Sequence, residues 1–149
     1  MRAVIQRVKN ARLSVDGQLI SEIGQGFAVY FGVAQGDTEA KLDYIVAKIA
    51  KMRIFEDENG KMNLGLSDIG GEILLISQFT LLADCSHGNR PSFIGAEKPE
   101  RAKALYELAA EKLRALGLTV KMGVFGADMK IEQYNDGPVT IILDSPAKD

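Results

Sequence analysis

Strand-like segments follow one another along most of this chain, and only two stretches have the spacing of an amphipathic helix. A regular parallel sheet needs a crossover, usually a helix, between consecutive strands, so this order does not fit one. The pattern predicts an α+β fold, with a curved, barrel-like, mostly antiparallel sheet and two main helices packed on it. A length of 149 residues is typical of one domain, which we expect to span residues 1–149.

The two predicted helices have clear ends. The first runs from residue 38 to about residue 55, with Asp37 as its expected N-cap. The second starts at Pro99, which suits a first helical position, and ends near Leu116, before Gly117. Alternating or continuous apolar runs predict strands at 2–8, 12–16, 18–23, 26–33, 72–83, 118–124, 129–134 and 139–143.

Charge and cysteine content limit the class of protein. A net charge of −2 and a pI near 5.5 argue against a broad cationic face for duplex nucleic acid, although a small contact with an RNA end stays open. One cysteine cannot form an internal disulfide, and the sequence has no signal-peptide pattern and no apolar run of membrane-spanning length. We therefore expect a soluble, cytoplasmic protein with no membrane partner.

Cys85 and His87, the single cysteine and the single histidine, lie two residues apart in a long polar loop at 84–98. Their spacing raises the alternatives of a thiol nucleophile or a metal site. A structural metal usually needs four nitrogen or sulfur ligands, and a loop cysteine without an activating environment is usually inert. We expect neither metal nor cofactor.

The segment SQFTL, residues 77–81, places two hydroxyls, an amide and an aromatic ring at the end of an apolar run. Ser77 or Thr80 needs a base to act as a nucleophile. A triad with His87 and Asp84 can be written, but it lacks the glycines of a nucleophile elbow. The alternative is that these side chains end a strand and bond to the backbone.

The segment NDGPVT, residues 135–140, reads from its residues as an ordinary turn. Asp136 and Gly137 would reverse the chain, and Pro138 would enter a strand where its missing N–H does no harm. Because most X-Pro peptide bonds are trans, the residues alone predict a trans bond before Pro138.

Six motifs occur in order over almost the whole chain. They are IQRV at 5–8, RIF at 53–55 with GKMNL at 60–64, SQFTL at 77–81, NRPSF at 89–93, FGADM at 125–129 and NDGPVT at 135–140. In these motifs the chain resembles the D-aminoacyl-tRNA deacylases, homodimeric enzymes that hydrolyse the ester bond of D-aminoacyl-tRNA. The order of the motifs makes the resemblance specific.

The resemblance implies a cis bond between Gly137 and Pro138. It also implies that this dipeptide crosses a two-fold interface into the partner's pocket and faces the partner's SQFTL segment. Backbone carbonyls there would bind the substrate α-amino group and exclude an L side chain, whereas D-residues and glycine would pass. Rejecting L-residues by a thousandfold requires about 4 kcal/mol.

The resemblance also implies roles for particular residues. The catalytic segment would be Ser77, Gln78, Phe79 and Thr80, with backbone N–H groups near Phe79 and Thr80 stabilising the oxyanion. The terminal 2′-OH of the tRNA would assist hydrolysis. Arg7 would orient the Gly-Pro unit, and Phe125 and Met129 would lie near the terminal adenine. The substrate-binding residues would be Gly137, Pro138, Asn135, Val139, Thr140, Arg7, Phe125 and Met129.

Two other functions remain as alternatives. The first is a dimeric module that binds nucleic acid or nucleotides without hydrolysis, which the negative charge and the lack of stacking aromatics disfavour. The second is a related deacylase that acts on a small L-residue. We expect such a relative to depart from SQFTL, which this chain keeps.

Overall fold

A computed structural model describes residues 1–148. Its strands are β1 (Arg2–Val15), β2 (Gln18–Ile23), β3 (Gly26–Gly32), β4 (Phe55–Glu56), β5 (Met62–Leu64), β6 (Glu72–Ser77), β7 (Thr119–Met122) and β8 (Lys130–Asp144). The helices are α1 (Glu39–Lys51), the short α2 (Leu66–Ile69), α3 (Pro99–Ala115) and a 3₁₀ helix at Phe79–Leu82.

The main sheet is built around β1, the strand that pairs antiparallel with β2, β3 and β8. Two parallel pairings, β3 with β6 and β6 with β7, extend the sheet. The Ser21 hydroxyl donates to Met122 O (2.5 Å) and Lys121 Nζ donates to Glu22 O (2.6 Å), which links β2 to β7. The sheet is therefore mixed and nearly closed, which confirms the predicted barrel-like α+β class with two main helices.

Two apolar cores lie on opposite faces of this curved sheet. The larger fills the space between the sheet and the helices α1 and α3, and includes Phe27 stacked on Phe55 at 5.2 Å between ring centroids. The smaller fills the barrel interior with Val8, Ala11, Leu13, Ile23, Ala28, Leu74 and Ile76. Burial of these side chains is the main stabilising contribution to the fold.

The first predicted helix is correct in its location but wrong at both ends. Thr38, not Asp37, caps α1, because its hydroxyl accepts the Lys41 N–H at 3.4 Å. Asp37 is buried, accepts the Ala34 N–H at 2.7 Å and lies 2.5 Å from the amino group of Met1. The helix ends at Lys51, because the next residues turn inward and bury Phe55 in the core.

The strand predictions divide the chain too finely. The expected strands at 2–8 and 12–16 form the single strand β1, and those at 129–134 and 139–143 form β8, since the pairing between β1 and β8 resumes on both sides of its register shifts. The turn between β1 and β2 has positive φ at Asp16 and Gly17, as a two-residue hairpin requires.

Candidate active site

The ladder between β1 and β8 shifts register on both sides of Val8, and the larger interruption lies between Gln6 and Val8. Gln6 lies opposite Thr140 and Val8 lies opposite Asn135, so the four residues 136–139 face the single residue Arg7. These four residues, which we call the excursion, therefore bulge out of the strand. Gly137 and Pro138 are exposed on it, and the peptide bond between them is cis. The expectation of an ordinary turn at this segment is wrong, because β8 continues on both sides of it.

Arg7 fixes the base of the excursion. Its guanidinium is 4% exposed, and Nε lies 3.1 Å from the backbone oxygen of Asp136 and 3.2 Å from that residue's carboxylate. The Nη1 atom donates to Ile54 O at 2.7 Å. A planar, forked donor can serve these acceptors together, so Arg7 ties the excursion to the end of the segment after α1.

The two ends of the excursion are also anchored by neutral side chains. At one end Thr140 donates to Gln6 Oε1 at 2.6 Å, next to the buried Val139. At the other end Gln133 Nε2 donates to Asn135 Oδ1, also at 2.6 Å. The excursion is thus an ordered part of the sheet edge, and its middle faces outward.

The SQFTL segment is a tight turn that follows β6. Its strand ends at Ser77, the Gln78 N–H donates to Phe31 O at 2.8 Å, and the chain then forms the 3₁₀ helix. The Gln78 amide donates to the Thr80 hydroxyl. The predicted strand at 72–83 is therefore too long. A Cβ on Gly32 would lie 2.6 Å from Leu82 Cδ2 and 2.9 Å from Gln78 O, so only glycine lets this turn pack so closely on β3.

A cavity of about 680 Å³ opens beside this turn. Among the residues that line it are Ser77, Gln78 and Phe79 on one side and Phe125 and Met129 on another. Phe79 is 56% exposed, and its ring contacts Phe93 edge-on at 5.2 Å between centroids. The fold thus brings five of the predicted site residues to one cavity.

Tyr106 forms part of the cavity wall from α3. It is 2% exposed, and its hydroxyl donates to Leu75 O at 2.7 Å. Burial raises the pKa of Tyr106 to about 12, so the phenol stays neutral at physiological pH. Its role visible in the structure is to support the end of β6, from which the SQFTL turn begins.

The excursion does not contribute to this cavity within its own chain. None of the described residues 135–140 lines it, and neither does Arg7. Arg7 pairs with Phe27 at the start of β3, whereas Gln78 bonds to Phe31 near the other end. Four residues of strand separate these points by about 14 Å. Thr80 is exposed beside Gln78 but is not part of the cavity lining.

The loop with Cys85 and His87 lies outside the cavity. His87 is exposed, with Nδ1 2.9 Å from the Ser86 hydroxyl and 3.7 Å from the Asp84 carboxylate. Within residues 1–148 no hydrogen bond joins His87 to Ser77 or Thr80, so the structure does not assemble the alternative triad. The described residues also contain no group of three or more His, Cys, Asp or Glu arranged to hold a metal ion.

Sequence reasoning missed three residues that shape the site: Gly32, Tyr30 and Tyr106. Gly32 follows an apolar strand and has no local sign of its close contact with the turn. The two tyrosines look like ordinary members of a strand and a helix. Their hydroxyl partners, Gln133 and Leu75, are distant in the sequence.

Comparison with known proteins defines the class. The profile of the family described as D-Tyr-tRNA(Tyr) deacylase matches residues 4–144. Proteins named D-aminoacyl-tRNA deacylase are 52% identical in Desulfitobacterium hafniense (97% of each chain) and 53% identical in Myxococcus xanthus (98% of this chain, 95% of the relative). This chain belongs to the D-Tyr-tRNA(Tyr) deacylase family, as its motifs predict.

Two solved structures share the fold. One, described as a c-Myc DNA unwinding element binding protein, has a TM-score of 0.91 and 45% identity, over 99% of this chain and all of the other. The second, described as a probable eukaryotic D-amino acid tRNA deacylase, has a TM-score of 0.84 at 17% identity, over 95% and 97% of the two chains. At that lower identity the second likeness concerns the fold alone. Among residues 1–148 no helix is both long enough and apolar enough to cross a membrane.

Proposed function

We propose that this protein hydrolyses the ester bond of D-aminoacyl-tRNA and releases free tRNA and the D-amino acid. Family membership supports the reaction class. The observation that carries the proposal for this chain is the exposed Gly137–Pro138 excursion, which is anchored at its base but absent from its own chain's cavity. The reaction takes place in the cytoplasm, where aminoacyl-tRNA is made and used.

A second copy of the chain completes each site. The excursion of one subunit enters the cavity beside the Ser77–Thr80 segment of the other. The free edge of β8 supports this arrangement, because in the described part of the chain this strand pairs with β1 alone. An open edge of this kind presents unpaired backbone groups with which another chain can pair.

The excursion distinguishes substrates by excluding one enantiomer. Its backbone carbonyls accept hydrogen bonds from the α-amino group and occupy the space that an L side chain would need. A D side chain points away from them, so its chemistry matters little, and glycine also passes. Excluding L-residues by a thousandfold, or about 4 kcal/mol, requires that an L side chain cannot displace the excursion. The hydrogen bonds of Arg7 support this role, because they hold the base of the excursion in place.

The chemistry needs no nucleophilic side chain. Water attacks the ester carbon with assistance from the terminal 2′-OH of the tRNA, and the ribose oxygen leaves. The first N–H groups of a helix lack acceptors within that helix, which makes those of Phe79 and Thr80 suitable donors to the oxyanion. Phe125 and Met129 of the same cavity hold the terminal adenosine through apolar contacts.

The direct test compares D-Tyr-tRNA, L-Tyr-tRNA and Gly-tRNA by following the release of free amino acid. The proposal requires rapid hydrolysis of the D-tyrosyl and glycyl esters and L-tyrosyl hydrolysis near the rate without enzyme. Equal rates for both enantiomers would contradict the filter, and no hydrolysis would contradict the reaction. The mass in solution, measured by light scattering, must be that of a dimer.

The description of one structural relative as a DNA unwinding element binding protein makes DNA binding without hydrolysis the second candidate. The net charge of −2 argues against it. Binding of duplex DNA at physiological salt, together with inactivity on D-Tyr-tRNA, would favour this candidate instead.

A further inference from the structure

Tyr30 is joined to the excursion by two consecutive side-chain hydrogen bonds. Its hydroxyl donates to Gln133 Oε1 at 2.6 Å, and Gln133 Nε2 donates to Asn135 Oδ1 at the same distance. Tyr30 lies on β3, whereas the other two residues lie on β8. These two strands are not neighbours in the sheet order, because β1 lies between them. The contact therefore passes over β1, on the face that carries the smaller core.

These two hydrogen bonds end at the residue that immediately precedes the excursion. Asn135 is the last residue paired with β1 before the excursion, and the next residue, Asp136, is the one held by Arg7. Tyr30 packs against the smaller core, so its ring is fixed by apolar neighbours. Burial also raises the pKa of the Tyr30 hydroxyl, which keeps it a donor. A rigid barrel strand thus holds one end of the excursion.

We infer that Tyr30 is a positioning residue that sets enantiomer discrimination by holding the excursion through Gln133 and Asn135. This inference rests on the proposed function. Arg7 holds the backbone of Asp136, and Thr140 with Gln6 holds the far end. Without Tyr30, Gln133 loses the partner that orients its amide, and Asn135 gains freedom to turn. The excursion can then move away from an L side chain, which allows the L-ester to be hydrolysed. A D side chain does not contact the excursion, so hydrolysis of the D-ester changes less.

The test is Tyr30→Phe, which removes the hydroxyl and keeps the ring. The ratio of kcat/KM for D-Tyr-tRNA to kcat/KM for L-Tyr-tRNA should fall by up to about tenfold, the value of one ordinary hydrogen bond. The fall should come mainly from a gain in L-tyrosyl hydrolysis. The matched control is Tyr44→Phe, which removes a hydroxyl from the outer face of α1 and should leave the ratio unchanged.

A second variant separates positioning from general stability. In Tyr30→Phe combined with Gln133→Leu, the half-buried amide of Gln133 is no longer left without its partner, and Asn135 is exposed to water, so the melting temperature should recover toward that of the unmodified protein. Asn135 is still unanchored in this double variant, so the D-to-L ratio should stay low. Recovery of both quantities together would show that Tyr30 acts only through stability and would overturn the inference.

The outcomes also separate this inference from the function on which it rests. If the unmodified protein does not hydrolyse D-Tyr-tRNA, the proposed function fails. If it hydrolyses the D-ester selectively and Tyr30→Phe keeps the full D-to-L ratio, the function stands and the role of Tyr30 is refuted.

Discussion

Arg7 and Asp136 are joined twice, through the backbone oxygen and through the carboxylate of Asp136, at 3.1 Å and 3.2 Å from the same Nε atom. They lie 129 positions apart in the sequence. Together they close the base of a four-residue excursion from a strand. The side chain that does this is almost fully buried, so its removal has consequences for both stability and activity.

Arg7→Lys keeps the charge but removes the fork that serves Asp136 and Ile54 together. We expect the free energy of unfolding to fall by about 1–3 kcal/mol, because a buried acceptor loses its partner, and kcat/KM for D-Tyr-tRNA to fall at least tenfold. Urea unfolding and deacylation assays measure the two effects. Arg12→Lys, on the exposed face of the same strand, is the control. Full activity of Arg7→Lys would show that the excursion does not need the hydrogen bonds of the Arg7 guanidinium.

Gly137→Ala tests whether the excursion meets the substrate. A Cβ at this position has no neighbour within 4 Å in its own chain, so the melting temperature should not change. In a cavity shared with the substrate, an added methyl group typically costs about 1–3 kcal/mol, and we expect D-Tyr-tRNA hydrolysis to fall by tenfold or more. Gly95→Ala, equally open, should behave like the unmodified protein. An unchanged rate in Gly137→Ala would contradict the proposed role.

Gly32→Ala should differ from Gly137→Ala, because it should lower the stability of the protein as well as its activity. Its Cβ would clash with Leu82 and with the Gln78 carbonyl, and overpacking of this kind costs about 1–3 kcal/mol. The turn must move away from β3, so both the melting temperature and the deacylation rate should fall. Retention of both values would mean that the SQFTL turn tolerates displacement.

Thr80→Ala should keep activity within about tenfold of the unmodified protein, below the 10²–10⁴ range typical of general acid–base catalysis. The Thr80 hydroxyl is exposed and accepts a hydrogen bond from the Gln78 amide. Single-turnover hydrolysis of D-Tyr-tRNA measures the effect. A loss of activity of several hundredfold, with folding and tRNA binding intact, would restore Thr80 as a nucleophile.

Ionisation of the Tyr106 hydroxyl should lower the stability of the protein at high pH. Its pKa is about 12 in the folded protein and about 10 when unfolded, so the unfolded state loses this proton first. Its contribution is complete below pH 10 and declines toward pH 12, at about 1.4 kcal/mol per pH unit. The difference in unfolding free energy between the unmodified protein and Tyr106→Phe should shrink over this interval. A difference in unfolding free energy that stays constant between pH 10 and pH 12 would contradict the raised pKa of Tyr106.

The sequence predicted the fold class and the family correctly, because both depend on patterns that extend over many residues. It predicted strand ends less well near the site. In β1 the odd-numbered positions are buried on both sides of Arg7, but Ala3 and Ile5 belong to the larger core and Ala11 and Leu13 to the smaller one. This change of core accompanies the irregular pairing around Arg7. The alternation is lost just after Arg7, because Val8 is also buried and the next two residues are exposed, so the sequence pattern reads as two strands.

Only part of the site could be predicted from the sequence, because some of its contacts join residues that are far apart in the chain. Ser77, Gln78 and Phe79 could be found because they form a compact motif. Tyr30 could not, since its partner Gln133 is 103 positions away and neither residue is unusual for its strand. The end of β6 at Ser77 was equally hidden, because Leu81 and Leu82 continue the apolar run that the turn interrupts.

The excursion from β8 also has a genetic consequence. If it serves the second subunit, each site draws on two copies of one gene product, and two inactive alleles can complement each other. A chain damaged in the SQFTL turn and a chain damaged at Gly137, expressed together, would form mixed dimers in which one of the two sites contains only intact parts. A cell with both defects would then recover part of the activity that neither allele provides alone.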